Sequence, residues 1–238
     1  MKQHSLLLIM ISSTFLIFKS FLFWINLILS VILFGPIAFL LGIISYKKCL
    51  IISKCWCRYN LFFLENVCSL TYEYSGPSLD EYKLVISQHQ SAWETIFLAA
   101  HVNNPIFILK KELLMIPIFG WCLYLLDNIS IDRSDGASSL KKIMNSCNHH
   151  IEKNNSLIIF PEGTRMPFGS KTQIKKGVLK ILESLKIDSL LLHHDAGKYW
   201  QKSSYLIKPG IIKICTLSLN YKADSDKLRN NIENHFNM

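Results

Sequence analysis

The apolar pattern divides the chain near Tyr46. Leu6 to Phe18 is apolar apart from small hydroxyls, Lys19 interrupts, and Phe21 to Ile44 is again uncharged, broken only by Asn26 and the Gly35-Pro36 pair. About 20 helical residues cross the hydrocarbon core of a bilayer at ~1.5 Å each, so the second run is long enough to span and the first is short. Lys47, Lys48, Lys54 and Arg58 follow directly, and cations on that flank predict that the rest of the chain faces the cytoplasm. Three arrangements fit the pattern. They are one or two spans, a pair of helices dipping into one leaflet with the break at Gly35-Pro36 or Lys19, and a cleaved leader. Lys2 suits a leader, but no small-x-small cleavage site follows the apolar core. The expected organisation is a membrane-anchoring helical segment over residues 1–58 and a globular domain over 59–238.

From Lys83 the period changes. Leu84-Val85-Ile86 predicts a short buried strand, Trp93 to His101 a helix, and Ile106 to Leu109 a strand that begins after Pro105. Leu113 to Leu126 is interrupted by Pro117 and Gly120, so two short helical pieces are expected. Ile129 to Ile131 reads as a brief strand. Leu140, Ile143, Met144, Cys147 and Ile151 recur at helical spacing, as do Ile174, Val178, Ile181, Leu182 and Leu185. Leu157 to Phe160, Leu190 to Leu192 and Ile211 to Leu219 read as strands. Strands alternating with helices predict an α/β fold, a mixed central sheet covered on both faces.

Composition narrows the class. Of 238 residues, 50% are hydrophobic and 18% charged, which excludes a disordered chain. A mean hydropathy of +0.25 is high for a soluble protein and concentrates before Tyr46. The net charge of +9 suits an anionic partner such as nucleic acid, an acidic membrane surface or a phosphorylated substrate. The seven cysteines are odd in number and irregular in spacing, so reduced, packed thiols in a cytosol-facing domain are expected.

Four segments carry candidate chemistry. In Ser87 to Thr95, His89 and Glu94 are five apart, about 140° around a continuous helix, and so meet only if His89 lies on the turn before it. Ser91-x-x-Glu94 is a capping box that supplies such a turn. A carboxylate beside an imidazole fixes its tautomer and raises its basicity, as in a general-base dyad; the bland alternative is a solvated histidine and a helix-capping glutamate. In Phe160 to Arg165, a strand ends in a glycine turn where backbone N–H groups and the Arg165 fork can converge on phosphate, or where an arginine simply meets solvent. Lys110-Lys111 and Asp132-Arg133 also follow strands. Lys110, Arg133 and Arg165 therefore fall at C-terminal strand edges on the side of His89, where open α/β sheets form ligand crevices.

The order HQSAWE, LKKELLMIPIFGW, ISIDR, FPEGTR and HDAGKYW, followed by KPG, resembles the 1-acyl-sn-glycerol-3-phosphate acyltransferase family over roughly Leu84 to Ile214. Glu94 stands where the family hallmark has aspartate, as in a common bacterial variant. The resemblance implies acyl transfer from an acyl-CoA or acyl carrier protein thioester to the sn-2 hydroxyl of lysophosphatidic acid, giving phosphatidic acid for phospholipid biosynthesis. It implies His89 as general base and Glu94 as its orienting carboxylate. Gly163, Thr164, Arg165 and Lys110 would hold the substrate phosphate, Arg133 would organise the pocket, and Glu162 would bind within its loop. No metal and no cofactor beyond the thioester co-substrate is implied. The chain departs from the pattern at Leu190 to His194, which lacks the usual proline, at Asp195, where asparagine is usual, and after Cys215. Adjacent His193 and His194 are weak grounds for a metal.

The expected partners are lysophosphatidic acid, the acyl donor and membrane lipids, with the catalytic domain on the cytoplasmic side of the inner membrane. The alternatives are another acceptor, such as glycerol 3-phosphate or a different lysophospholipid, and a decayed, membrane-anchored anionic-lipid binder. No basic stripe with interleaved aromatics supports nucleic acid.

Overall fold

The computed structural model describes residues 2–131, 136–221 and 225–237, excepting the side chains of 2–12, 136–139 and 225–226. The elements run α1 (Lys2–Ile44), α2 (Tyr46–Cys68), β1 (Leu70–Ser75), β2 (Leu84–Ser87), α3 (Trp93–His101), β3 (Pro105–Lys110), α4 (Phe119–Leu125), β4 (Ile129–Ile131), α5 (Gly136–Glu152), β5 (Ser156–Ile159), α6 (Lys176–Leu185), β6 (Ser189–His194), α7 (Ala196–Tyr199), β7 (Gly210–Leu219) and α8 (Ser225–Phe236). Among the described residues, seven strands form one sheet in the order β1-β7-β6-β2-β5-β3-β4. Every neighbouring pair is parallel except β6 and β7, so the sheet is mixed.

Strand alternation separates two apolar layers. Val85, Ile158, Leu190 and Leu192 point to one face, where they meet Phe97, Leu64 and Trp93. Leu84, Ile86, Leu157, Ile159 and Leu191 point to the other, against Cys147, Leu182 and Ile232. Central strands buried on both sides read as continuous apolar runs because each face has its own helices. All seven thiols are free; Cys55 and Cys215 are exposed and the others buried. Burial pushes the thiols of Cys57 and Cys147 up to about 12, which leaves them unreactive.

The N-terminal helices differ from expectation. α1 is continuous through Lys19 and the Gly35-Pro36 pair, and the break falls at Ser45, whose extended backbone starts a second helix. α2 then runs across residue 58 and packs on α1 as an antiparallel hairpin. Asn26 is part of the seam: its side-chain amide donates to Asn60 Oδ1 at 3.3 Å and it accepts from the Tyr59 hydroxyl at 2.5 Å. The Trp56 indole donates to Ser30 Oγ at 2.9 Å one turn along. Gly42 admits α2 closely, since a Cβ there would lie 3.0 Å from Cys49 Cβ.

The exposure of α1 is inverted relative to a helix in water. Ser20, Asn26 and Ser30 are buried, whereas Phe15, Phe18, Phe21, Ile28, Leu29, Ile32, Leu33, Leu40 and Ile43 are exposed. The helix touches the α/β domain at two distant points. Ile207 N donates to Ser20 Oγ at 2.9 Å and the Trp24 indole donates to the Tyr205 carbonyl at 2.8 Å. Farther on, the Cys122 thiol of α4 meets the Gly35 carbonyl at 3.5 Å, and a Cβ on Gly42 would lie 2.8 Å from Leu125 Cδ1. From Ser20 to Gly42 is about 33 Å at ~1.5 Å per residue. The attached elements follow β6 and β3, which lie three strand spacings apart, about 14 Å at ~4.8 Å each. The loop after β6 and helix α4 after β3 both lie where the parallel strands end. α1 is therefore fixed at two places to the C-terminal edge of the sheet.

Candidate active site

The pair of His89 and Glu94 forms because β2 ends one residue before Gln88 and α3 begins only at Trp93. The intervening turn is held by reciprocal bonds. Ser91 Oγ accepts from Trp93 N at 3.2 Å, and both Glu94 oxygens accept from Ser91 N at 2.9 and 3.0 Å. Ala92 already has helical backbone angles (φ −85°, ψ −19°) ahead of α3 at Trp93, and Ser91 bonds the Trp93 amide instead of that of Glu94. Gln90 N also donates to Glu94 Oε1, at 3.0 Å. With its carboxylate fixed by two amides, Glu94 accepts from His89 Nδ1 at 2.8 Å. An Nδ1 that donates leaves Nε2 as the basic nitrogen.

Glu94 is fully buried, while the His89 side chain is 18% exposed. Burial alone pushes the Glu94 carboxyl up. The His89 hydrogen bond, the His194 and His89 imidazoles and the Ser91 N–H outweigh it, so Glu94 lies below its ordinary value and is ionised. Phe160 stacks on His89, with ring centroids 4.2 Å apart and planes 20° from parallel. The imidazole is thus clamped by a carboxylate at one edge and an aromatic face on one side.

The loop from Phe160 to Lys175 lies against this turn. Gly163 N donates to the Phe160 carbonyl at 3.0 Å, closing a tight turn in which Gly163 takes φ +65°. A Cβ on Gly163 would sit 3.2 Å from Lys175 Cδ and Nζ, so the lysine stem runs over the glycine. Met166 N donates to the His89 carbonyl at 2.7 Å, which seats Arg165 one residue from the histidine's backbone. Thr164 is half-buried and Arg165 exposed. The Lys202 ammonium donates to the Arg165 carbonyl at 3.1 Å, bringing a further cation to this rim.

Glu162 Oε1 accepts from the Thr172 hydroxyl at 3.5 Å, a bond within its own loop, and from His89 N at 3.4 Å. Oε2 is buried with no partner among the described residues. Burial, with the nearby Glu94 charge adding to it, raises Glu162 to about 7.

The other expected cation positions are looser. Lys110 is the exposed last residue of β3, two strands from β2, or about 10 Å at ~4.8 Å per strand. Arg133 lies outside the described residues. His194 does not suit a metal. Its Nε2 donates to the Gln88 carbonyl at 3.0 Å and its Nδ1 accepts from Ala196 N at 3.2 Å, so both nitrogens are committed to backbone. The sequence reading missed Lys175, the Phe160 stack and the buried amide of Gln88. Their signals were only a lysine downstream of the glycine turn, an aromatic at the strand end and a glutamine beside the histidine.

Residues 72–191 match the family described as Acyltransferase. A 1-acyl-sn-glycerol-3-phosphate acyltransferase of Pseudomonas aeruginosa is 33% identical over 206 residues, covering 85% of this chain and 80% of that protein. One of Helicobacter pylori is 35% identical over 136 residues, covering 52% and 57%. The crystal structure of the 1-acyl-sn-glycerophosphate (LPA) acyltransferase PlsC from Thermotoga maritima shares the fold. Its TM-score is 0.74 over 93% of each chain, at 19% identity.

Proposed function

The chain belongs to the 1-acyl-sn-glycerol-3-phosphate acyltransferase family, and on that premise we propose that it acylates the sn-2 hydroxyl of lysophosphatidic acid to give phosphatidic acid. The observation that carries the reading is the His89–Glu94 pair, an accessible imidazole bonded to a buried, ionised carboxylate at the C-terminal edge of the sheet.

His89 Nε2 takes the proton of the acceptor hydroxyl as its oxygen attacks the thioester carbonyl. The imidazolium so formed is stabilised by Glu94. Collapse of the tetrahedral adduct breaks the carbon–sulfur bond, and the proton on His89 passes to the leaving thiolate. The acyl group moves directly from sulfur to oxygen. A positioned base of this kind is worth roughly 10²–10⁴-fold. Arg165 and the Gly163–Thr164 backbone hold the phosphate, Lys110 adds charge, and Arg133 organises the pocket. The donor is the thioester of coenzyme A or of acyl carrier protein, and the protein itself contributes no cofactor.

The same edge of the sheet is where we place the membrane. The apolar face of α1 runs along it, and Met115, Ile116, Trp121 and Tyr124 after β3, Phe168 after β5, and Tyr205 and Leu206 after β6 are exposed nearby. Apolar surface aligned with a sheet edge suits a helix lying in the interface with its polar side turned inward to protein. α1 is long and apolar enough to cross a bilayer, but its attachment to the domain at Ser20 and again at Gly35 and Gly42 favours burial in one leaflet. We place that leaflet on the cytoplasmic side of the inner membrane, in keeping with the cations Lys47, Lys48, Lys54 and Arg58 that follow α1.

The test is transfer from labelled acyl-CoA and acyl carrier protein to lysophosphatidic acid, glycerol 3-phosphate and neutral lysolipids by the purified full chain. Preference for lysophosphatidic acid, lost in His89→Ala, is expected. Full activity in His89→Ala would remove the imidazole from the reaction, and preference for another acceptor would move the chain to a different substrate.

A further inference from the structure

Helix α8 lies beyond the segment that matches the acyltransferase family, yet its last turn reaches the turn that carries His89. Its apolar face anchors it: Leu228, Ile232 and Phe236 are buried in the layer that also holds Ile86 and Leu191. From there three contacts extend toward the site. The Phe236 carbonyl accepts from Gln88 Nε2 at 2.6 Å, across 148 positions of sequence. Asn237 Oδ1 accepts from Thr172 N at 2.8 Å, and Glu233 Oε1 accepts from Ile174 N at 3.2 Å. A helix end leaves its last carbonyls without intrahelical partners, and here one of them meets a side chain adjacent to the candidate base.

Gln88 and Thr172, both buried, pass these contacts on. The Gln88 amide nitrogen also approaches Thr172 Oγ1 at 3.4 Å, and its oxygen accepts from His194 N and from Gln90 Nε2, each at 3.4 Å. Thr172 then donates to Glu162, which accepts from the His89 amide. Gln90 Oε1 accepts from Gly197 N at 3.1 Å, so the far side of the same turn is tied to α7. Each residue of the Gln88–Gln90 turn therefore bonds a group from a distant element.

We propose that the last turn of α8 is a positioning element for His89, acting through Gln88 and Thr172. This rests on the reading of His89 as the base. The α8 residues touch neither the imidazole nor any reacting atom. Their effect is to fix where the backbone on either side of His89 sits. Misplacement of a reacting group by about 1 Å costs up to ~100-fold in rate, so such a brace acts on turnover more than on binding.

The experiment uses the full chain in lipid with Gln88→Met, Asn237→Ala, Thr172→Val and Thr172→Ser. Two readouts are taken: kcat and KM for transfer to lysophosphatidic acid, and the rate at which diethyl pyrocarbonate modifies His89, followed by peptide mass spectrometry. Gln88→Met and Thr172→Val are expected to lower kcat about tenfold or more with KM within about threefold. Thr172→Ser, which keeps the hydroxyl, restores most of the loss, and Asn237→Ala has a smaller effect of the same kind. His89 labelling quickens about threefold in the weakened variants as the turn opens locally. If labelling and kcat match the parent in Thr172→Val and Asn237→Ala, the brace is wrong, even should Gln88→Met fail to fold. If the parent transfers nothing to lysophosphatidic acid, the functional reading falls, while the labelling rates still decide whether α8 holds His89.

Discussion

Phe160 lies face to face with His89, ring centroids 4.2 Å apart, at the point where β5 leaves the sheet. Such a stack is worth about 0.5–1.5 kcal/mol beyond area burial. If it is used to hold the base in line, Phe160→Leu, which keeps apolar bulk but loses the ring, lowers kcat by roughly 2- to 10-fold. KM for both substrates should stay near that of the parent. Steady-state kinetics on the purified variant check this, and an unchanged kcat would reduce Phe160 to a filler.

Glu94 is expected to act through its charge. Glu94→Gln keeps the length of the side chain and an oxygen for the Ser91 and Gln90 amides, but it cannot stabilise an imidazolium. A loss of about 10²–10³-fold in kcat is expected, within the range for a disabled base. Circular dichroism and a melting curve on the same sample would show whether the loss is chemical or a failure of the turn.

Arg165→Ala is expected to separate acceptors by their head group. A charge-assisted hydrogen bond contributes about 1.5–3 kcal/mol, so kcat/KM for lysophosphatidic acid should fall roughly 10- to 100-fold. A lysolipid without a phosphate monoester should change far less. Equal losses on both acceptors would show that Arg165 serves the loop and not the phosphate.

Stability should respond to pH through two groups of opposite sign. Glu162 is raised to about 7 by burial, above the value of an unfolded glutamate, so the folded state binds its proton more tightly. Its cost to folding is absent below about pH 4.3 and accumulates as pH rises to about 7, reaching on the order of 3 kcal/mol. Glu162→Gln should therefore raise the melting temperature at pH 8 and lose that advantage by pH 4.5. His193 behaves oppositely. Burial, with His194 and His235 adding to it, lowers it to about 4, so the unfolded chain takes up its proton first. That stability is present above about pH 6.5 and is lost as pH falls toward 4. His193→Gln should flatten the acid side of a melting-temperature profile and leave the alkaline side unchanged.

The fold was most legible where apolar period and turn chemistry agreed. Trp93–His101 and Ile129–Ile131 have the bounds that the pattern predicts. β1 was missed, since it is an edge strand with only Leu70 fully covered and Tyr74 and Ser75 facing out; it gives no run of apolar residues to detect. α8 was missed for a related reason: three buried apolar residues among charges and asparagines are a faint stripe. In the site, the five-residue spacing and the cap made the bond of His89 to Glu94 possible, and the family resemblance selected it over a solvated histidine. What spacing cannot express is the convergence of Thr172, Asn237 and Gln88, which depends on how the layers close. Lys19 and Gly35-Pro36 misled because charge and proline usually interrupt helices. Here Lys19 Nζ reaches Ser69 Oγ at 3.3 Å, and Gly35 leaves room for Ile118, whose Cγ2 would lie 2.2 Å from a Cβ there.

The two-point attachment of α1 bears on how lipid supply and membrane growth are coupled. On the proposed one-leaflet placement, a protein fastened along one sheet edge would draw its acceptor sideways from the layer it rests in and return the product to that same layer. Each turnover would then add mass to one half of the bilayer only, and a cell relying on such a chain would need a separate agent to carry lipid across to the other half.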